Sequence, residues 1–327
     1  MEPTVSIVFC SYNQIEYLEG AIASALSQTH RNTELILIDN GSTDGSQQLL
    51  KRYRTDSRVR LLLHDRNDKV TTRMNEGIAL SSGQYLSFLY ADDYYLPRKL
   101  ERQLQEFSKL SPDYGVVYSP GFRLDAQTGH QWVEQTLKNS GAILKDMLLR
   151  THSEGFIDPI APLMRRECLI RYPFREELFI EGESILFRIA MTYKFRFIDE
   201  PLTVMRNHTS NAGKAIKRNA AAVSVIVGQL SQEPEFPPDL VPALNTYRAN
   251  SNALFGWLAI RMAADPAWAR DCFLSAIRLR PSYIFRPRAL AGLALSTLPV
   301  GAIRGVNRAL NAMRSRKKTI AFKTDYA

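Results

Sequence analysis

Four short apolar runs punctuate the first third of the chain: Val5–Cys10, Glu34–Asp39, Val59–Leu63 and Tyr85–Ala91. Each is long enough for a buried strand and too short for a helix of its own. Between them apolar residues keep helical spacing, most clearly Leu18, Ala21, Ile22, Ala25 and Leu26. Strands alternating with helices predict an α/β fold, with a mostly parallel sheet sandwiched by helices. Three of the strands run directly into polar residues: Ser11-Tyr12-Asn13, Asp39-Asn40-Gly41-Ser42-Thr43-Asp44-Gly45 and Asp92-Asp93. Such strand ends share one edge of the sheet, and that edge is where open α/β sheets bind ligands.

The pair Asp92-Asp93 is the most chemically loaded of these. Neighbouring side chains on an extended chain point to opposite faces, so the two carboxylates can serve two ligands. Like charges side by side are costly unless a cation or hydrogen-bond donors compensate them. A ligand site fits this pattern, and so does a solvated turn capping a helix that begins near Pro97.

Downstream the periodicity loosens. Helices are predicted from Pro97 to about Leu110, over Ala142–Leu149 and over Glu183–Tyr193, with a short strand at Gly115–Tyr118 and a hairpin or loop over Arg123–Ser140. Phe156–Met164 is apolar but carries Pro159 and Pro162, which predicts an extended cleft wall rather than a central strand. Phe195–Met205 leads into Arg206-Asn207-His208. From about Ala212 the composition becomes helix-rich, with one helix separated from the rest by the loop Ser231–Pro238. The expected organisation is an α/β domain over 1–211, an α-helical appendage over 212–314 and a flexible basic tail over 315–327.

Charge follows that division. Residues 1–211 hold 25 Lys/Arg against 27 Asp/Glu, whereas the remainder holds 17 against 6. Basic helices rich in Leu and Ala suit an anionic membrane surface; they also suit a folded appendage or dimer face with a solvated exterior. No nucleic-acid-binding motif accompanies the charge, so no nucleic-acid partner is expected. Cys10, Cys168 and Cys272 lie far apart without metal-binding spacing, which predicts a reduced, cytoplasmic setting free of disulfides. The opening residues lack the pattern of a signal peptide, and no run approaches the roughly 20 apolar residues of a membrane span. The expected location is the cytoplasm, with peripheral attachment at the inner face of the cell membrane if the basic helices bind lipid.

Taken in order, several short stretches resemble the family-2 glycosyltransferases of the GT-A fold. They are Val5-Ser6-Ile7-Val8 through Asn13, Ser27-Gln28-Thr29, Ile38-Asp39-Asn40-Gly41-Ser42-Thr43-Asp44-Gly45, Asn75-Glu76-Gly77-Ile78, Gly83-Gln84-Tyr85, Ala91-Asp92-Asp93, Ile198-Asp199-Glu200-Pro201-Leu202 and Arg206-Asn207-His208. The resemblance covers about residues 4–210. It implies an inverting, non-processive enzyme that moves a sugar from a nucleotide-diphosphate sugar, UDP- or dTDP-linked by preference, to a hydroxyl of a glycan or lipid-linked acceptor in cell-surface polysaccharide synthesis. It also implies Mn²⁺ or Mg²⁺ as cofactor, because a divalent cation stabilises the departing diphosphate and hard oxygen ligands suit it. By the same resemblance Asp93 binds the metal, and Asp92 binds the ribose or the metal through water. Tyr12 stacks on the base, while Cys10, Ser11, Asn13, Asp39, Asn40 and Arg73 complete the nucleotide side. His208 falls where relatives place a residue facing diphosphate or metal, although a lone histidine is often a structural hydrogen-bonder. Cys10 is equally explained by core packing. Lys69 reads better as solvated surface than as a phosphate ligand, and Asp158 with Pro159–Pro162 falls on the acceptor side.

Two positions depart from the family pattern. Asn40 stands where relatives carry an acid that accepts a hydrogen bond from uracil; an amide can still pair with a pyrimidine. Gly182 stands where relatives carry the aspartate that takes the proton from the acceptor hydroxyl. Glu183 and Glu181 flank it, and either could supply that general base or simply cap the following helix. The Gln-x-x-Arg-Trp motif of processive synthases and the Gly-rich loop of pyrophosphorylases are both missing. The rival expectation is a non-catalytic sugar-nucleotide-binding or scaffold protein of the same fold.

Overall fold

The computed structural model describes residues 3–150, 155–178, 181–182, 184–208 and 216–308. In chain order the strands are β1 (Val5–Ser11), β2 (Thr33–Asp39), β3 (Val59–Leu63), β4 (Tyr85–Tyr90), β5 (Tyr94–Tyr95), β6 (Tyr114–Tyr118), β7 (Phe122–Asp125), β8 (Gln131–Val133), β9 (Leu163–Arg165), β10 (Lys194–Phe197) and β11 (Thr203–Asn207). The α-helices are α1 (Ile15–Leu26), α2 (Ser46–Leu50), α3 (Val70–Leu80), α4 (Lys99–Phe107), α5 (Leu144–Leu149), α6 (Arg166–Arg171), α7 (Ser184–Ala190), α8 (Ile216–Leu230), α9 (Val241–Leu258), α10 (Pro266–Leu279) and α11 (Pro287–Leu295).

A seven-stranded sheet runs β10-β6-β9-β4-β1-β2-β3. All seven residues of β1 are buried, as a strand covered by helices on both faces requires. Leu18, Ala21, Ile22 and Ala25 of α1 pack into the same apolar core as Val5, Ile7, Phe9, Leu35 and Leu37. The pairs β1–β2, β1–β4, β2–β3 and β6–β10 are parallel, while β9 is antiparallel to both neighbours.

That antiparallel insertion corrects one expectation. The proline-marked segment does enter the sheet centre: Met164 pairs with Leu86 on one side and Val116 on the other. Only three residues, all beyond Pro162, form the strand, so the prolines cost no ladder hydrogen bond. A buried polar network anchors its approach. Lys99, fully enclosed and pushed far below the usual lysine pKa by burial, donates to Ser87 Oγ at 2.8 Å and Gln103 Oε1 at 2.9 Å. Gln103 donates in turn to the carbonyls of Val117 and Ala161.

A smaller sheet, β5-β11-β7-β8, lies beyond the Asp92-Asp93 turn. Its strands are two to five residues long. It intervenes between the acidic pair and α4, so the pair does not cap that helix. By packing, the chain divides into Met1–Lys214 with Gly228–Pro238, and Ala215–Val227 with Asp239–Ala327. Residues 228–238, placed with the appendage by composition, belong to the first unit. The second is helical; Ala259, Ile260, Ala269, Phe273 and Ile303 form one of its apolar clusters. No helix among the described residues is long and apolar enough to cross a membrane. The expected basic tail, 315–327, lies outside the described residues.

Candidate active site

The strands that end in the three polar loops are neighbours, in the order β4, β1, β2, and they finish level. Ser11 pairs with Asp39, and Cys10 with both Ile38 and Tyr90. The first two loops are laced to one another. Asn13, in the left-handed region at φ 51°, accepts from the Thr43 N–H at 2.8 Å, and its own N–H donates to Ser42 Oγ at 2.9 Å. Asp44 accepts from the Ile15 N–H at 3.0 Å.

Asp39 is fully buried and organises its loop. One carboxylate oxygen accepts from the N–H groups of Gly41 (3.1 Å) and Ser42 (2.9 Å) and from Gln47 Nε2 (2.9 Å); Ser11 Oγ lies 3.4 Å from the other. Gly41 is required there: its φ is +80°, and a Cβ would come within 2.4 Å of the backbone at Arg66. Asn40 is saturated. Its Nδ2 donates to Asn67 Oδ1 and the Asp68 carbonyl, both at 2.8 Å, and its Oδ1 accepts from the Asp68 N–H at 3.0 Å and Arg73 Nε at 2.8 Å. Both donors and both acceptor positions of the amide are thus engaged within the protein. Arg73 is occupied in the same knot.

Tyr12 is 41% exposed. Burial pushes the Cys10 thiol up to about 12, so it behaves as a neutral core residue beside the loops. Lys69 Nζ donates to the Glu176 carbonyl at 2.7 Å.

The acidic pair divides its partners. Asp92 Oδ2 meets His208 Nε2 at 3.0 Å. Asp93, only 3% exposed, accepts from the Arg206 N–H at 3.0 Å. Burial, together with the charge of Asp92 and in spite of that hydrogen bond, drives the Asp93 carboxyl well above its usual range. A carboxylate so placed invites a cation. Among the described residues no three His, Cys, Asp or Glu side chains form a ready-made metal cluster. The donor set fits a hard cation that draws most of its ligands from a bound phosphate.

Sequence reasoning missed what brings these groups together. β11 pairs antiparallel with β5, immediately after the acidic turn, and delivers Arg206 and His208 to it. The Arg206 guanidinium sits between the rings of Tyr17 (5.2 Å) and Tyr94 (4.9 Å) and donates to the Asp92 carbonyl at 2.8 Å. Tyr17 also packs 5.2 Å from the His208 ring. The apolar pairing signal of such short strands is too weak to read from sequence.

Gly182 is flanked in sequence by Glu181 and Glu183. Glu181 is buried, with Oε2 accepting from the Arg175 N–H at 2.7 Å and Oε1 from Arg188 Nη1 at 3.3 Å. Burial raises its carboxyl pKa, partly offset by the Arg175 N–H and the two arginine charges. Glu183 lies outside the described residues. Gly182, between them, has φ +59°, and a Cβ there would meet nothing within 4 Å. It lines a small cavity with Tyr90, Pro159, Pro162 and Phe174, so the proline segment and the glutamate turn do converge. Asp158 is buried and ion-paired to Arg123 at 3.1 Å.

This arrangement defines an α/β sheet whose carboxyl edge carries an acidic pair. The profile described as Glycosyl transferase family 2 matches residues 6–172, and the chain belongs to that family. The putative teichuronic acid biosynthesis glycosyltransferase TuaG of Bacillus subtilis is 33% identical over 129 residues, which are 39% of this chain and 50% of that protein. The chain thus spans half the length of that relative. In fold it is similar to S. aureus TarS 1–349 in complex with UDP-GlcNAc, with a TM-score of 0.62 and 15% identity over 94% of this chain and 92% of that one. It is also similar to the mannosyltransferase PcManGT from Pyrobaculum calidifontis in complex with GDP-Man and Mn²⁺, with a TM-score of 0.60 and 17% identity over 91% and 86%.

Proposed function

We propose that the protein is an inverting, metal-dependent glycosyltransferase. It moves a sugar from a nucleotide-diphosphate sugar to a hydroxyl of a glycan or lipid-linked acceptor in cell-surface polysaccharide synthesis. The observation that carries this reading is the level ending of β4, β1 and β2, which sets exposed Tyr12 and the Asp92-Asp93 pair on one edge. The named substrates and pathways of TuaG, TarS and PcManGT agree with it.

Tyr12 offers a ring face to the base. Asp39 and Asn40 shape the nucleotide loops rather than reading the base directly, since their polar atoms are already engaged. Asp92 faces the ribose, and Asp93 with His208 would hold Mn²⁺ or Mg²⁺. That cation would supply charge stabilisation to the departing diphosphate. The acceptor oxygen forms its bond to the anomeric carbon as the carbon–phosphate-oxygen bond breaks on the opposite face, and the hydroxyl proton passes to a carboxylate. Glu181 is engaged and enclosed, so the base is assigned to Glu183.

Gly182 gives specific support to a second reading, a sugar-nucleotide-binding protein without turnover, because it leaves the family's base position without a carboxylate. Incubation with UDP-, dTDP- and GDP-sugars plus Mn²⁺ separates the two. The enzyme reading expects release of nucleoside diphosphate from at least one donor, with UDP- or dTDP-sugars preferred. Donor binding without release from any, acceptor glycans included, would establish the second.

The basic helices are assigned to an anionic membrane surface. Residues 272–324 contain eleven Lys/Arg and no Asp or Glu. Phe285, 83% exposed, projects from a turn flanked by Arg280, Arg286 and Arg288. The chain is expected to float with vesicles containing phosphatidylglycerol and not with pure phosphatidylcholine, and Phe285→Ser to weaken that binding severalfold. Absence of flotation with either vesicle would refute the assignment.

A further inference from the structure

We propose that Glu233 is a positioning residue for the Glu181-Gly182 turn, which makes Gly228–Pro238 part of the catalytic unit. The proposal rests on reading that turn as the neighbourhood of the general base. Glu233 Oε1 lies between two guanidinium groups: it accepts a hydrogen bond from Arg175 Nη2 and stands 3.3 Å from Arg188 Nε. Arg188 Nη1 reaches Glu181 Oε1 at 3.3 Å and the Pro173 carbonyl at 2.7 Å. The Arg175 N–H closes the ring on Glu181 Oε2 at 2.7 Å. Each carboxylate thus touches both arginines, and Gln229 Oε1 takes a further Arg175 donor at 2.7 Å.

None of the four side chains is more than 19% exposed. A buried ion pair holds its geometry only when its remaining donors and acceptors are also met. Arg188 Nε is buried and makes no hydrogen bond, so the Glu233 carboxylate is its charge partner. Without that charge the Arg188 guanidinium is left with Glu181 and the Pro173 carbonyl and the Arg175 guanidinium with Gln229, so the two arginines lose the carboxylate that bridges them and fixes the turn.

The other side of the same segment is fastened to the donor-side helix. Asn75 of α3 pairs with both the N–H (2.9 Å) and the carbonyl (2.8 Å) of Phe174. Lys69 Nζ and Thr71 Oγ1 donate to the carbonyls of Glu176 and Leu178. Residues 174–178 are therefore held between α3, which also carries Arg73, and the ring closed by Glu233. A residue far beyond the family-matched stretch 6–172 fixes where the turn stands relative to the nucleotide loops.

The test uses the full chain with Glu233→Gln, which keeps size and one acceptor, and Glu235→Gln, at the exposed rim, as control. Two readouts are followed: nucleoside diphosphate release from the sugar nucleotide that the wild type turns over, and amide hydrogen exchange. Glu233→Gln is expected to lower kcat about tenfold with donor KM within about twofold. Exchange is expected to quicken about tenfold at 174–178 and 184–190 while β1, β2 and β4 stay as in the wild type. Wild-type kcat and exchange would overturn the proposal, and so would a parallel loss of kcat, donor affinity and protection across the whole unit. Should the wild type turn over no donor, the proposed function fails by itself, and exchange still decides whether Glu233 fixes the turn.

Discussion

Asp93→Asn is expected to lower metal-dependent release of nucleoside diphosphate by about a thousandfold while leaving the fold intact. Loss of one charge-stabilising group at a developing anion typically costs two to three orders of magnitude, and here the cation's anchor goes as well. The fold is spared because asparagine still accepts the Arg206 N–H that Asp93 accepts now. The variant is expected to melt at or above the wild-type Tm when metal is omitted, since burial and the Asp92 charge both work against ionised Asp93. Activity lost with stability kept is the signature of a residue retained for function. Asp199→Asn, at an exposed pair with Lys138, is the matched control and should change neither quantity. An Asp93→Asn variant that retained metal-dependent turnover would remove the acidic pair from the chemistry.

The second large effect separates the two glutamates beside Gly182. Glu183→Gln is expected to reduce kcat by about a hundredfold to ten-thousandfold, the range for losing a general base, with Tm and donor KM unchanged. Glu181→Gln should behave in the opposite sense. Its carboxylate is enclosed and bound by Arg188 and the Arg175 N–H, and removing one partner of a buried ion pair costs about 3–5 kcal/mol. Glu233 retains part of the balance, so the lower end is expected, visible as a Tm several degrees lower. Gly182→Asp in the Glu183→Gln background adds a sharper check. The Cβ direction at Gly182 is open, and aspartate tolerates a left-handed φ better than most residues. Partial recovery of turnover would show that a carboxylate on this turn is what the reaction needs. A Glu183→Gln variant with wild-type kcat would move the base elsewhere.

The large sheet was legible because long buried strands leave long apolar runs: β1, β2, β3 and β4 lie within one residue or so of the runs that predict them. β9 was not, because three residues between a proline and a helix carry no period. The acidic pair could be found as a strand end and His208 through the family resemblance, but the strand pairing that brings them together could not. His208 and Arg206 reach it through a two-residue strand pairing, β5 with β11, that leaves almost no trace in composition. That the four hydrogen-bond positions of Asn40 are filled by residues 67, 68 and 73 could not be read from sequence, because loop closure of that kind is a tertiary fact. Glu233 was hidden for a different reason. It sits in the proline-marked loop Ser231–Pro238, between helices that composition assigns to the appendage, while its carboxylate belongs to the arginines of the α/β unit.

The central claim is that the edge formed by β4, β1 and β2 is a metal-assisted nucleotide site anchored by Asp93. Calorimetric titration with UDP, dTDP and GDP, in Mn²⁺ and again in EDTA, tests it most directly. The expected result is saturable single-site binding of at least one nucleotide in Mn²⁺, weakened about tenfold or more by EDTA and equally by Asp93→Asn. Binding of the same strength with and without the cation, and in the variant, would contradict it.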